Sequence, residues 1–290
     1  MPDIALWSAL PAARWCAVPR VPLEVDGRVV GSVARAHLEA LQPHADALAL
    51  SAERVALRPS HETRDAVFAR LNHALREAGL IVGWRNEPYA VLEHPGAPVL
   101  ARIERAASRF WGTLTFGAHC NGYVADAQGL PTHLWIARRS LTKPTDPGLY
   151  DNLVGGGVPA DQSPLQTLVR EGWEEAGLTP AQMARATPGR VMRLLRDIPE
   201  GLQHEWLYAF DLRLAAGEQP RNQDGEVAEL RLMPVAEALA LAATERMTVD
   251  AALVTLDFAL RHRLLGDVHQ RLQSAFEPLL APAAFTLQAV

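Results

Sequence analysis

Three glutamates within five residues form the strongest chemical signal in this sequence. Glu171, Glu174 and Glu175 follow one another at i, i+3 and i+4, a spacing that places them on one side of an α-helix. Carboxylates this close repel one another, by about a few tenths of a kcal/mol per pair. A hard divalent cation such as Mg²⁺ binds carboxylate oxygens and would turn that repulsion into ligation. The spacing therefore indicates either a metal site or an ordinary solvated acidic face.

The predicted helix has recognisable signals at both of its ends. Ser163, Pro164 and Gln166 have the residue types of the N-cap, first and third positions, which together form a capping box. Gly177 stands where a left-handed residue would end the helix. The apolar residues between the two ends recur with helical spacing: Leu165, Leu168, Val169, Trp173 and Ala176. We expect this apolar stripe to face the core and the glutamates to lie opposite it.

From Gly156 to Leu178 the sequence resembles the Nudix box, G-x5-E-x7-R-E-U-x-E-E-x-G-U, where U is apolar. The matching fixed positions are Gly156, Arg170, Glu171, Glu174, Glu175, Gly177 and Leu178. Gln162 replaces the first glutamate, so it either orients Arg170 more weakly or leaves one metal ligand missing. Gly172 replaces an apolar residue, which costs about 1 kcal/mol of helix propensity and implies close packing there.

The resemblance implies a Nudix hydrolase, which cuts a diphosphate linked to another moiety with the help of Mg²⁺ or Mn²⁺. Such a reaction needs charge neutralised on the phosphoryl oxygens and a water held in line. The resemblance makes Glu171, Glu174 and Glu175 the catalytic residues, and metal ligands together with the Gly155 carbonyl. It makes Arg170 an orienting residue.

The general base and the phosphate-binding residues stay open. The base is a box glutamate or a glutamate on a distant loop. Glu226 and Glu229 precede or begin a strand that could return beside the box helix, but a charged strand entry explains them as well. Arg138, Arg139 and Lys143 precede the glycine loop and could meet the second phosphate. An ordinary solvated basic cluster explains these three residues equally well.

Longer stretches outside the box resemble a Nudix subgroup with an N-terminal extension, which also forms one half of fungal thiamine pyrophosphokinases. These stretches are 27–31, 83–89, 116–124, 141–152 and 253–262. The resemblance implies that thiamine diphosphate or its oxidised analogues are cut to the monophosphate. The alternatives are a hydrolase of ADP-ribose or NADH and a non-catalytic binding module. An aromatic slot for the substrate ring has six candidates: Trp84, Tyr89, Trp111, Phe116, Tyr123 and Trp135.

Composition narrows the class of protein. The chain is 49% hydrophobic and carries 28 basic and 33 acidic residues, which favours a folded protein and gives no basic excess for nucleic acid. Cys16 and Cys120 lie far apart, so we expect reduced thiols and a cytoplasmic protein. We see no signal peptide and no apolar run that could span a membrane. The expected partner is a small diphosphate, with a homodimer left open.

The pattern of elements predicts an α+β protein in two parts. Residues 1–109 form a small α+β module with a hairpin turning at Asp26 and an amphipathic helix over 60–79. Residues 1–20 read as a loosely attached lead-in. Residues 110–290 form the Nudix domain, for which we expect an α/β/α sandwich with a mixed sheet and C-terminal helices.

Overall fold

The computed structural model describes residues 6–215 and 217–282, which form two successive sets of elements. The first set comprises α1 (Ala9–Ala12), β1 (Arg20–Val25), β2 (Arg28–Ala34), β3 (Leu48–Leu50), β4 (Val55–Leu57), α2 (Arg64–Glu77), β5 (Pro88–Val91), β6 (Ala101–Glu104) and α3 (Ala107–Trp111). The second set comprises β7 (Leu114–Ala125), β8 (Pro131–Arg139), β9 (Tyr150–Asp151), β10 (Val154–Gly157), α4 (Pro164–Ala176), α5 (Pro180–Met183), β11 (Thr187–Ile198), β12 (Gly201–Arg213), β13 (Val227–Pro234), α6 (Val235–Ala242), α7 (Val249–Arg261) and α8 (His269–Phe276).

The N-terminal module contains a four-stranded sheet in the order β2-β1-β4-β3. The predicted hairpin joins β1 and β2, and Asp26 and Gly27 both have positive φ, 51° and 73°, as a tight two-residue hairpin turn requires. Helix α2 begins after Thr63, whose side chain accepts from the Ala66 N–H. It packs on a core that includes Trp111. The predicted hairpin and amphipathic helix are therefore confirmed, with the helix shorter than expected.

The second part is built on a mixed seven-stranded sheet whose main path is β11-β12-β7-β8-β13. Strand β12 runs parallel to β7, and the other pairings are antiparallel. Strand β10 also pairs with β7, along residues 117–120. Helices α4 and α5 pack on one face of the sheet, and α1, α6, α7 and α8 contribute to the core of the other face. This arrangement is the predicted α/β/α sandwich with a mixed sheet.

Helix α4 begins and ends where the sequence predicts. The Ser163 hydroxyl accepts from the Gln166 N–H at 3.3 Å, and Gln166 Oε1 accepts from the Ser163 N–H at 2.7 Å. Gly177 has φ of 62°, the left-handed value of a C-terminal cap. Gly172 packs tightly as expected, because a β-carbon there would lie 2.6 Å from the sulfur of Met183 on α5.

The predicted orientation of helix α4 is wrong in two respects. Leu165 and Trp173 were assigned to the core face, but they are 44% and 52% exposed. Glu175 was assigned to the opposite face, but it is 5% exposed and turned toward strand β10. The helix turns this way because Glu175 has polar partners on β10 and a preceding loop, which no local pattern reveals. Its buried apolar contacts come chiefly from Leu168 and Ala176.

The expectation of a loose lead-in is also wrong. The Trp7 side chain is fully buried in the core beside α7, and its Nε1 donates to the Ala252 carbonyl at 3.1 Å. The Ala13 carbonyl accepts from the Leu195 N–H at 3.0 Å, so the segment is tied to strand β11 as well. One buried tryptophan anchors a short segment that has no periodicity of its own. The domain boundary at residue 109 stays a prediction.

Replacing Trp7 tests how strongly this segment is attached. We expect Trp7→Ala to lower the free energy of unfolding by about 3–5 kcal/mol, because it removes a fully buried aromatic side chain and leaves a cavity. Urea denaturation measures the change. Trp15→Ala is the matched control, since Trp15 is 61% exposed and should change stability by less than about 0.5 kcal/mol. Equal losses in the two variants would contradict the attachment.

Candidate active site

Strand β10 is rich in glycine, and two box glutamates pack against it. The Gly155 N–H donates to Glu175 Oε2 at 2.9 Å. A side chain at Gly156 would collide with the carboxylate of Glu171. Glycine at position 156 therefore lets the carboxylate of Glu171 approach the strand. Both glutamates lie at the junction of α4 and β10, which agrees with the expectation that they act at one place.

Glu175 is neutralised by a lysine that comes from the loop before the glycine strand. Lys143 Nζ lies 3.0 Å from Glu175 Oε1 and 2.5 Å from Glu226 Oε2. The Lys143 and Glu175 side chains are only 8% and 7% exposed. Burial raises the pKa of Glu175, and the Lys143 ammonium opposes that rise. The structure thus brings Lys143 and Glu226 to the box helix, and their role toward a substrate stays a prediction.

Arg170 links the other two box glutamates. Its Nη2 lies 2.9 Å from Glu171 Oε1, and its Nη1 lies 2.9 Å from Glu174 Oε2. Its Nε donates to Gln162 Oε1 over a long 3.4 Å. Burial and the neighbouring Glu175 carboxylate raise the pKa of Glu171 to about 7, despite the opposing charge of Arg170. These contacts agree with an orienting role for Arg170 and with the weak amide support proposed for Gln162.

The carboxylates suit a hard cation by their chemistry. Among the residues that the structure describes, no three His, Cys, Asp or Glu side chains converge as a ligand set, since Arg170 and Lys143 pair with the box carboxylates. The donors offered are carboxylate oxygens, which Mg²⁺ and Mn²⁺ prefer. Burial is the main cause of the raised pKa of Glu171, and the nearby Glu175 carboxylate adds to it, so a cation at this place would favour the ionised form of Glu171. The ligand set of Gly155, Glu171, Glu174 and Glu175 remains a prediction.

A cavity of about 740 Å³ is lined by the glycine strand and by both parts of the chain. The N-terminal module contributes Tyr89 and three arginines: Arg85, Arg105 and Arg109. The sheet and α7 contribute polar residues that include His119, Asp151, Gln203, Glu205 and Asp250. Of the six aromatic candidates for a substrate slot, Tyr89 lines this cavity and the other five do not. Those five pack against core clusters, Trp84 and Trp111 within the module.

Neighbouring arginines on strand β8 separate as their alternation requires. Arg139 lines the cavity, and its Nη1 donates to Asp151 Oδ2 at 2.9 Å. Arg138 is exposed, lies 3.4 Å from the Gly148 carbonyl and does not line the cavity. The structure thus places Arg139 on the cavity wall and Arg138 outside it, and a phosphate contact by either residue stays a prediction.

Sequence reasoning missed the residues that the N-terminal module brings to the box. Arg105 Nη1 lies 2.8 Å from Glu87 Oε2, and Glu87 Oε1 lies 3.9 Å from Arg170 Nη2. Glu87 and Arg105 flank the two-stranded β5–β6 sheet, more than 60 residues before Arg170. No motif or spacing in the module marks them, so only the fold reveals their position.

The part of the cavity beside strand β12, called the acceptor end below, contains the carboxylates of Glu205 and Asp250, with Gln203 and Arg109 next to them. Gln203 Nε2 donates to Glu205 Oε2 at 3.1 Å and to Asp250 Oδ1 at 3.0 Å. Arg109 Nη2 lies 3.2 Å from Glu205 Oε2. Burial and the Glu205 carboxylate raise the pKa of Asp250 to about 6. The sequence offered no signal for this group, because its members come from separate strands and helices.

Comparison with known proteins agrees with the identification of the box. The NUDIX domain family matches residues 121–253, and a domain of unknown function, DUF4743, matches residues 13–115. Nudix hydrolase 24, chloroplastic, of Arabidopsis thaliana is 34% identical over 270 residues, which cover 88% of this chain and 73% of that protein. The chain therefore belongs to the Nudix hydrolase family, and the predicted family is confirmed.

Two further relatives match with partial coverage. Nudix hydrolase 20, chloroplastic, of Arabidopsis thaliana is 38% identical over 222 residues, which cover 73% of this chain and 59% of that protein. An uncharacterized protein of Saccharomyces cerevisiae is 34% identical over 195 residues, covering 63% of this chain and 56% of that protein. The chain thus spans about three fifths of the length of these two relatives. The resemblance to fungal thiamine pyrophosphokinases stays a prediction.

In the part of the chain that the structure describes, no helix is long and apolar enough to cross a membrane. Cys16 is exposed and Cys120 is buried, and both thiols are free. The cytoplasmic location stays a prediction, since nothing in the fold bears on it.

The raised pKa of Glu171 predicts how the stability of the metal-free protein depends on pH. The pKa rises from 4.5 in the unfolded chain to about 7 in the folded one, so folding favours the protonated carboxyl. Its stabilising contribution is full below pH 4.5 and is lost as pH rises through 7. From pH 5 to 8 we expect this group to remove on the order of 2 kcal/mol from the free energy of unfolding.

Urea denaturation with a chelator, at pH 5 and at pH 8, measures this effect. Glu171→Gln should abolish this part of the decrease, because the amide does not titrate. Glu237→Gln, which replaces an exposed carboxylate on α6, is the control and should retain the decrease. An unchanged pH dependence in Glu171→Gln would contradict the assignment.

Proposed function

We propose that the protein is a Mg²⁺- or Mn²⁺-dependent pyrophosphatase that cuts thiamine diphosphate or its oxidised analogues to the monophosphate. The observation that carries the proposal is that the glycines contacted by the box glutamates also line the large cavity. A substrate in this cavity would therefore lie across strand β10 from Glu171, one of the carboxylates proposed to hold the cation. The volume of about 740 Å³ is within the range of pockets for small organic ligands.

Each group in the cluster has a distinct task in this mechanism. Glu171 and Glu175 would hold the cation, with Glu174 and the Gly155 carbonyl completing the proposed set. When bound, the cation would supply charge neutralisation for phosphoryl oxygens and would make a water more acidic. Arg170 keeps Glu171 and Glu174 in position through its two ion pairs. A carboxylate of this cluster removes the proton from the attacking water.

Three residues outside helix α4 have supporting roles in the proposed mechanism. Lys143 favours the ionised form of Glu175 against the effect of burial, and Glu226 pairs with Lys143 from the other side. Arg139 lies on the cavity wall and provides positive charge for the second phosphate. Arg138 takes no part, because it is exposed away from the cavity. The role proposed for each of these basic residues thus follows from its position relative to the cavity and to Glu175.

The acceptor end of the cavity favours a substrate whose ring donates hydrogen bonds or carries positive charge. Asp250 and Glu205 offer carboxylate oxygens there, and the Gln203 amide is oriented by both of them. Strand β12 is two strand spacings from β10, roughly 10 Å, which suits a diphosphate joined to a heterocycle. An aminopyrimidine meets this requirement. The adenine of ADP-ribose or NADH also does, so nucleoside diphosphates form the second candidate class.

A substrate panel with Mg²⁺ and Mn²⁺ tests the proposal. The panel contains thiamine diphosphate, its oxo analogue, ADP-ribose and NADH, with the products separated by chromatography. Preferential release of the thiamine-type monophosphate is the expected result. Release of AMP would retain the box chemistry and reject the thiamine assignment. The absence of any product, together with absent metal binding, would instead indicate a non-catalytic binding module.

Removing a single box carboxylate tests the metal role. We expect Glu171→Gln or Glu175→Gln to lower kcat by about 100-fold or more, since a catalytic metal supplies several kcal/mol of transition-state stabilisation. Steady-state kinetics at limiting Mg²⁺ measure the loss. The control is Glu237→Gln, an exposed carboxylate on α6, which should retain the wild-type rate. Near-normal turnover in both box variants would refute the metal assignment.

Restoring the missing box glutamate distinguishes the two roles considered for position 162. Gln162 Oε1 accepts from Arg170 Nε and from the Thr167 hydroxyl, which favours orientation over ligation. We therefore expect Gln162→Glu to shorten the contact with Arg170 and to change the Mg²⁺ affinity by less than about tenfold. Calorimetric titration with Mg²⁺ measures the affinity. A larger gain would show that a metal ligand had been missing.

The remaining expectations on partners and location are also proposals. We propose a cytoplasmic protein that uses a small diphosphate substrate and no nucleic acid. Its net charge of −5 gives no electrostatic attraction for a phosphate backbone. A homodimer would have exposed apolar residues available on α4, where Leu165 and Trp173 face outward. Sedimentation analysis of the purified chain determines the oligomeric state.

A further inference from the structure

A buried tyrosine of the N-terminal module points its hydroxyl into the catalytic cavity. Tyr89, on strand β5, is 4% exposed and lines the cavity. Among the residues that the structure describes, the ring has Arg105 beside it, with Cζ 5.6 Å from the ring centroid, but the hydroxyl has no hydrogen-bond partner. A phenol hydroxyl on the wall of a cavity can donate a hydrogen bond to a ligand that offers an acceptor there.

The hydroxyl lies directly against the last residue of the glycine strand. A side chain at Gly157 would collide with the Tyr89 hydroxyl and would come within 3.1 Å of Arg105 Cζ. Gly157 and Gly155 point to the same side of β10, whereas Gly156 points to Glu171 on the other side. Tyr89 and Arg105 therefore lie across a single strand from the proposed metal-binding carboxylates.

Arg105 is held by Glu87, which also approaches the box helix. Its Nη1 is paired with Glu87, and Glu87 lies between Arg105 and Arg170 of the box helix. A guanidinium held by one edge still presents a planar fork of N–H donors, the geometry that matches phosphate oxygens. A neutral phenol is also a donor, and burial raises the pKa of Tyr89 so that it keeps its proton.

We propose that the Tyr89 hydroxyl and the Arg105 guanidinium bind the non-bridging oxygens of the substrate diphosphate. The N-terminal module then completes the active site, because both residues belong to its β5–β6 sheet or directly follow it. This inference rests on the proposed function, since it places the diphosphate beside the glycine strand. It gives the module a direct part in substrate binding.

The test measures binding of a non-hydrolysable diphosphate, methylenediphosphonate, to the full chain by calorimetry with Mg²⁺. Tyr89→Phe retains the ring and removes only the hydroxyl, and Arg105→Lys retains the charge but loses the fork. We expect each substitution to weaken binding of the probe about tenfold or more, the usual effect of losing a hydrogen bond to a charged group. The kcat/KM for the diphosphate substrate should fall in parallel.

Tyr208→Phe is the matched control. Tyr208 is 2% exposed on strand β12 and packs beside Phe116, away from the large cavity. Its substitution should leave binding of the probe within about twofold of wild type, and thermal unfolding should show that all three variants are folded. Unchanged affinity in both Tyr89→Phe and Arg105→Lys would overturn the proposal, as would an equal loss in Tyr208→Phe.

The same titrations separate this inference from the proposed function. Wild-type protein that binds methylenediphosphonate through Tyr89 and Arg105, but cuts no diphosphate in the panel, would support the binding site and reject the hydrolase assignment. Turnover without any contribution from Tyr89 and Arg105 would retain the hydrolase and reject the inference. Failure of the wild-type chain to bind the probe would also overturn it.

Discussion

The active site depends on the burial of the Glu175 carboxylate against the backbone of strand β10. A buried carboxylate is stable only if hydrogen bonds and opposite charge replace its hydration. The Gly155 N–H supplies a hydrogen bond, and Lys143 supplies the opposite charge. Gly155 belongs to the glycine strand on one side of the carboxylate, and Lys143 belongs to the 140–149 loop on the other side. This single requirement sets the orientation of α4 and brings Glu226 to the same place through Lys143.

A series of neighbouring opposite charges links the N-terminal module to the Nudix box. Arg105 pairs with Glu87, which lies 3.9 Å from Arg170, and Arg170 pairs with Glu171. Alternating signs lower the energy of each member, because every charge has an opposite neighbour in a partly buried environment. A change of geometry in the module would therefore alter the electrostatic environment of the Arg170 side chain. These charges therefore link the two parts of the chain that together line the large cavity.

The sequence predicted those features whose signals are local. The capping box at Ser163, the left-handed Gly177 and the hairpin turn at Asp26 each depend on residues a few positions apart, and the structure contains all three. The orientation of α4 could not be predicted that way. An amphipathic pattern ranks Trp173 as buried and Glu175 as exposed, whereas the long-range partners of Glu175 reverse that order. The burial of Trp7 could not be predicted, because a single aromatic residue in a short segment forms no periodic pattern.

The parts of the site that the sequence left unassigned share one property: their residues come from elements that lie far apart in the chain. Tyr89, Gly157 and Glu205 come from three different strands, and β7 lies between the last two. The glycine run explains why they can meet. Gly156 leaves room for the carboxylate on one face, and Gly157 leaves room for the tyrosine hydroxyl on the other. A strand without side chains forms a thin wall between the proposed metal ligands and the cavity, so a diphosphate crossing its edge could contact both.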